Sequence, residues 1–468
     1  MDDECEYEVE YRDPGSEEMV TYSCEREKYS EKFCIFHDKD AYIKDEKRVR
    51  DEFVKEFGDV GEGERSFIGC NIPLVDVSAS GNLRRARFMH AVFHDDATFR
   101  NITIEELDFS GAEFYGVVEL QNCDLRVAVF IESKFGKIKV IDKVKPRKLG
   151  PPVMFERCSF NAFDVSGASF NCDVFFDKCD IEDSYFESCE FMGKLNVYYC
   201  EFNDDAEFNG TSFREESKFV DTVFKKGALF EDSNFIGRMY FRRVDFRSQE
   251  LVTMPSTMSD VSLLGTDIRR VRFSSDTAWE TESGDPILDV RSVEDGSGMK
   301  LDDVVAVCRR IRDNLDYYME YPKAGNFFVW EMELHRKYFQ NGAKISMKSR
   351  HKRWVSLRLL YRITSRYGES LNRVLWAWPV FFAAAYGLSL AFPSMETLAL
   401  LDKAGGCRIT ESCGNYPVFV PALEDMLDAL AGASSSGITG HVIRGTALAW
   451  LTLTFISARR KIERRFRH

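Results

Sequence analysis

The chain has 468 residues, is 44% hydrophobic and 13% aromatic with 39 phenylalanines, and carries a net charge of −14. That length allows about three structural units, and the acidic surplus disfavours direct binding to nucleic acid, whose phosphates would repel it. The charge is unevenly spread: Met154 to Phe246 holds 10 Lys and Arg against 19 Asp and Glu, whereas Lys344 to Arg373 is strongly basic with Glu369 alone opposing it, as for two different environments.

The first unit, residues 1–60, opens with MDDECEYEVEY, which is acidic, lacks an apolar run and does not read as a signal peptide. It carries Cys5, Cys24, Cys34 and His37, the last two within CIFH. Three thiols and an imidazole are an apt tetrahedral zinc set, and the two-residue gap of CIFH is typical of a knuckle. The first two ligands are separated by eighteen residues, which is loose, and scattered free cysteines are the alternative. So charged a segment can scarcely build its own core, and a metal staple is a physical remedy.

Over residues 67–273 a phenylalanine pattern dominates. Phe202, Phe208, Phe213, Phe219, Phe224, Phe230 and Phe235 alternate spacings of six and five. A flat strand fails, because a spacing of five sends successive rings to opposite faces. A helix with an eleven-residue period would align every second ring, but the intervening Asn, Asp, Gly, Ser and Thr are poor helix formers. Two residues before most rings stands a small one: Ala206, Thr211, Ser217, Thr222, Ala228 and Ser233. The pattern continues back to Phe88 with its Ala86. Such an internal repeat suits a coil that turns a corner every fifth residue, with rings stacked in interior columns and small residues against the wall. Cys123, Cys158, Cys179, Cys189 and Cys200 occupy the small slot and read as reduced packing residues.

The units AEFNG, ASFNC and ALFED make this region resemble the pentapeptide-repeat family, in its phenylalanine-centred form. The resemblance implies a mainly β fold, a right-handed quadrilateral β-helix of about four units per coil. The chain departs from the strict pattern in the extra residue of its six-spaced units. It departs again at KIKVIDKVKPRKLGPPV, residues 137–153, where three prolines and a run of basic residues predict an excluded loop.

LLGTDIRRVRF reads as the last coil, followed by a polar linker over residues 274–300. Residues 301–343 predict an α-helical hairpin. Val304, Cys308, Ile311, Leu315 and Tyr318 form one apolar face, with Pro322 at the second helix's start and Ala324, Phe327, Phe328 and Leu334 on its partner face. Capping the solenoid's open end is the plain role, and dimerisation the livelier one. After the basic juxtamembrane segment, residues 344–373, two transmembrane helices are expected within 374–468. Val374 to Phe392 is nineteen residues without a charge, and Gly445 to Ala458 is a shorter candidate followed by RRKIERRFRH. Basic outer flanks place both chain ends in the cytoplasm and the intervening loop, with Cys407 and Cys413 available for a disulfide, outside. Two buried helices of a soluble domain are the competing reading.

No phosphate loop, nucleophile elbow or metal-binding histidine pair on a helix is present, so the chain does not read as an enzyme. His90 and His94 merely flank Phe93, and Glu331 and Glu333 suit a solvated helix face. The leading expectation is a membrane-anchored scaffold that presents its acidic solenoid to a cytoplasmic protein, with lipid and a second copy of the chain as further partners. The first alternative is a channel-like module. Its loop sequence GASSSGITG lacks the glycine-tyrosine-glycine filter signature. The second, drawn from the family resemblance, is an acidic rod that mimics DNA toward a topoisomerase.

Overall fold

The computed structural model describes residues 4–338 apart from short gaps (13–18, 59–62, 79–81, 142, 145–151, 248–251, 256, 270, 274–275, 282–283, 285 and 295–299), and beyond 338 only scattered positions within 366–383 and 452–459. Two compact units are distinguished, Met1–Asn314 and Leu315–His468.

The first unit is a β-solenoid. Its strands pair in parallel, coil on coil, in sheets of fifteen, ten and five strands. One coil shows the design: Ser217–Val220, Val223–Phe224, Ala228–Leu229 and Asn234–Phe235 are four short strands separated by corners. The first three pair with both neighbouring coils and Asn234–Phe235 with the preceding one, mostly at an interval of 22 residues, as in Phe202↔Phe224↔Phe246. In the earlier coils the interval is 21, as in Phe93↔Phe114↔Phe135. The alternation of six and five is therefore one 22-residue coil divided among four sides.

The rings are interior and stack between coils. In one column Phe67, Phe88, Phe109, Phe130, Phe155 and Phe176 follow with centroids 5.5, 4.9, 5.4, 4.7 and 4.8 Å apart. The small residues are buried as well. Several of the polar ones do more than fit: Ser133, Thr222, Ser233 and Cys189 donate to the carbonyls of Phe109, Val197, Phe208 and Val165 on the preceding coil. Burial without such bonds would cost each hydroxyl its hydration.

At one kind of corner, two residues after rings such as Phe88, Phe109, Phe176, Phe208 and Phe230, the backbone takes positive φ, whether glycine stands there (Gly111, Gly210) or not (His90, Lys178, Asp232), and Gly167 and Tyr199 do the same after Val165 and Val197. The turn closes with an N–H to C=O bond across four residues, as from Thr211 to Phe208 and Ala168 to Val165.

Three expectations are corrected. Residues 137–141 are no excluded loop: Lys134–Ile141 is a regular strand paired with both neighbouring coils, Ile138 and Val140 facing in. Phe130 and Phe155 are 25 residues apart, four more than Phe109 and Phe130, and Val144 still pairs with Phe170 of the next coil. Residues 274–300 are not only linker, for they contain helix α3 (Leu288–Glu294). Glu331 is buried rather than solvated. The segment expected to be helical contains two helices, α4 (Leu301–Tyr317) and α5 (Tyr321–Tyr338), labels continued from the amino-terminal helices α1 (Ala41–Lys44) and α2 (Glu46–Gly58).

Both ends of the solenoid are covered. At the start, α2 buries Val49, Phe53 and Phe57, one face at four-residue steps, and sets Phe53 4.7 Å from Phe67 and Phe57 5.9 Å from Phe88. At the far end Asp289 of α3 accepts from Ser262 and from the Leu263 amide, and Asn314 of α4 donates to the Ile268 and Val271 carbonyls at 2.7 and 2.9 Å. Among the described residues no helix is long and apolar enough to cross a membrane. Both expected spans fall almost wholly outside those residues, as do Cys407 and Cys413.

Candidate metal centre

The amino-terminal segment forms a hairpin of β1 (Glu8–Arg12) and β2 (Met19–Ser23), antiparallel with Glu8 opposite Ser23. Pairing continues past the strand ends. The Cys24 amide donates to the Tyr7 carbonyl and the Cys5 amide to the Arg26 carbonyl, at 3.0 and 2.9 Å. This explains the loose spacing of the first two cysteines: an antiparallel hairpin returns its ends to one place whatever the length between them. Cys34 and His37 reach the same place from a tight turn in which the His37 and Asp38 amides both donate to the Cys34 carbonyl.

The structure thus brings together all four residues expected from the sequence. Cys5, Cys24, Cys34 and His37 are buried, and their ligand atoms lie within 4.8 Å of one another. The thiols are free, with Cys24 and Cys34 sulfurs 3.9 Å apart, far beyond the ~2.05 Å of a disulfide. His37 Nδ1 is 3.4 Å from the Cys5 sulfur and 3.3 Å from that of Cys34. A tetrahedron built on zinc–sulfur bonds of ~2.3 Å and zinc–nitrogen bonds of ~2.0 Å has edges of roughly 3.5 to 3.8 Å. The donor set and its spacing fit a metal, and these four side chains could bind one.

The surroundings fit too. His37 Nε2 is 2.8 Å from the Ile68 carbonyl, an acceptor only, so Nε2 carries the proton and Nδ1 turns its lone pair to the sulfurs. Tyr7 stacks on the imidazole with centroids 3.9 Å apart. The Cys34 amide donates to the Cys5 sulfur at 3.2 Å. Arg26 pairs with Glu56 at 2.9 Å, lies against Phe36 and Phe67, and extends toward the Cys24 sulfur. The hydrogen bond from Cys34 holds the Cys24 thiol far down, to about 3, and in turn pushes Cys34 up, so one proton serves two sulfurs. A cation there replaces that proton.

Sequence reading missed Tyr7, Arg26 and Cys70. Cys70 is fully buried, and its sulfur lies 3.6 Å from His37 Nε2, away from the ligand atoms. Burial pushes its thiol up, which keeps it neutral. Their common signal, adjacency to the first coil, exists only in three dimensions. His90 and His94 are not brought together as ligands: His90 is a corner residue, and His94 stacks on Tyr42 with centroids 3.6 Å apart and bonds Asn71.

A second feature lies on the solenoid wall. Register sets Ser184 beside Ala206 and Tyr185 beside Glu207, which places Asp183 and Glu207 near Tyr185, and Glu187 and Asp205 near Glu207. Asp183 foremost, then burial and Glu207, push the Tyr185 phenol up. Burial first, then Glu187, raises the Glu207 carboxyl.

No family model matches the chain, and neither does any curated protein or solved structure. Fold and site define its class directly: a phenylalanine-stacked parallel β-solenoid, consistent with a pentapeptide-repeat fold, with a buried cluster of three cysteines and a histidine at its amino-terminal end.

Proposed function

We propose that this chain is a membrane-anchored binding scaffold whose right-handed, four-sided solenoid presents an acidic face to a basic segment of a cytoplasmic protein. The observation that carries this reading is the negative field around Tyr185. Elsewhere on the wall cations stack against acids one coil away: Arg243 on Asp221, Lys226 on Asp204, Lys225 on Glu201 and Arg214 on Glu190. Asp183, Glu187, Asp205 and Glu207 hold no such cation among the described residues; Asp183 foremost pushes Tyr185 up, and burial, then Glu187, raises Glu207. Such a surface steers and orients a cationic partner.

Support for the membrane anchor comes from the few described positions in the expected spans. Trp376 is 80% exposed, Val380 71% and Phe455 66%. Side chains this apolar and this bare suit a lipid surround. In the same reading the amino-terminal cluster holds zinc, the cation whose tetrahedral preference and thiolate affinity match Cys5, Cys24, Cys34 and His37. Elemental analysis should find about one zinc per chain, lost in Cys34→Ser.

The scaffold reading is tested with full-length protein isolated from membranes together with what it holds. Replacing Asp183, Asp205 and Glu207 by lysine should release the bound protein, and raised salt should do so in the unaltered chain. A partner that survives the triple replacement undiminished sinks the assignment to this face.

A further inference from the structure

The first coil has no coil before it, yet its edge is hydrogen-bonded as if it had. Along the wall that bears the Phe67 column, each coil's amides donate to carbonyls of the next: Phe67 to Arg87 and Gly69 to Met89, then Phe88 to Asp108 and His90 to Ser110, all at 2.7–2.8 Å. By register the first-coil equivalents of Arg87 and Met89 are Ser66 and Ile68. Among the described residues no earlier backbone amide donates to those two carbonyls. Instead Ser66 accepts from Arg26 at 2.7 Å and Ile68 accepts from His37 Nε2 at 2.8 Å. On the adjoining wall the Val92 amide donates to Cys70, and the equivalent Asn71 amide donates to Phe36 at 2.7 Å. Residues of the Cys/His segment thus stand in for the missing coil, bond by bond. The hairpin adds apolar cover, with Tyr11 packed on Ile68 and Met89.

His37 belongs to both systems. One ring nitrogen faces the sulfurs and the other caps the edge, so whatever fixes the imidazole fixes the cap.

We propose that the metal is the clasp of this false coil: zinc on Cys5, Cys24, Cys34 and His37 locks the segment over the first-coil edge, and its loss frees that edge to pair with the same edge of a second copy. The occupant follows from the edge's chemistry. It offers acceptors at Ser66 and Ile68 and a donor at Asn71, so two such edges complement each other about a two-fold axis with antiparallel strands. An unpaired parallel edge is the sort of surface that closes on its own kind.

This inference rests on zinc occupying the cluster, so the test reads metal, edge and mass separately on the full-length chain in detergent. Zinc is counted by elemental analysis. Chelation should then raise amide exchange at Asn71 about tenfold or more, as expected of a local opening, double the protein mass by light scattering relative to the untreated sample, and reverse on adding zinc. Cys34→Ser should match the chelated state, with circular dichroism reporting whether the solenoid persists; the reversible chelation stands if that variant fails to fold. Zinc that is bound but leaves Asn71 equally protected after removal overturns the clasp and spares the metal. Freed exchange without a mass increase overturns the pairing with a second copy. A chain that takes up no zinc overturns both.

Discussion

Gly167 stands at a corner with φ of +73°, and a Cβ built there meets nothing within 4 Å. Its replacement by alanine therefore isolates the backbone cost of the left-handed conformation, about 1 kcal/mol of stability, readable as a lowered denaturation midpoint; an unchanged midpoint would contradict the corner rule. Lys178 and Tyr199 hold equivalent positions and carry that strain already, so the repeat tolerates it where a side chain is useful outside. Asp289 is the other residue whose setting decides its behaviour. It is fully buried, and burial raises its carboxyl pKa against the hydrogen bonds from Ser262 and Leu263. A folded-state pKa above the unfolded ~3.9 means the folded chain holds the proton more tightly. The ionised form is then penalised, with no penalty below the unfolded pKa and the full penalty above the folded one. Wild type should lose stability relative to Asp289→Asn as pH climbs from 4 to 7 in paired thermal melts, and parallel profiles would refute the assignment. Neither residue announces itself in the sequence. Gly167 looks like any turn glycine, and Asp289 sits in what reads as polar linker.

Each coil is held by its neighbours rather than by its own length, since single short strands have no independent stability. Phe208 shows the coupling: it stacks on Phe186 at 4.5 Å and Phe230 at 4.7 Å and meets the edge of Phe219 at 5.7 Å. Phe208→Ala should cost about 3–5 kcal/mol, with amide exchange rising in the coils on both sides as nearest-neighbour coupling requires; a loss confined to its own coil would count against that. The coil was legible because its code is redundant, ring and small residue repeated many times over. The amino-terminal cap was not. Val49, Phe53 and Phe57 are an ordinary amphipathic stripe, and only their docking onto Phe67 and Phe88 makes α2 the plug of the open end. At the other end the edge bonds among the described residues come from α3 and α4.

At the scale of the whole molecule the chain joins a rigid acidic solenoid to a basic, apolar carboxy-terminal region. If the latter anchors it in a bilayer, the full-length protein should stay with the membrane fraction through an alkaline carbonate wash, and release into the supernatant would refute the anchor. By itself the sequence determined the solenoid, because a five-residue side with one large and one small inward residue admits few other shapes. It also named the four candidate ligands, because three thiols and an imidazole are a rare donor set in one short segment. Only the tertiary structure decided how they act. It closed the eighteen-residue gap by antiparallel pairing, gave His37 one nitrogen for the sulfurs and one for Ile68, and set Asp183, Asp205 and Glu207 on one face. The reason is physical: periodicity along a chain reports which way a side chain faces, while a site depends on which distant residues the hydrogen-bond register sets side by side.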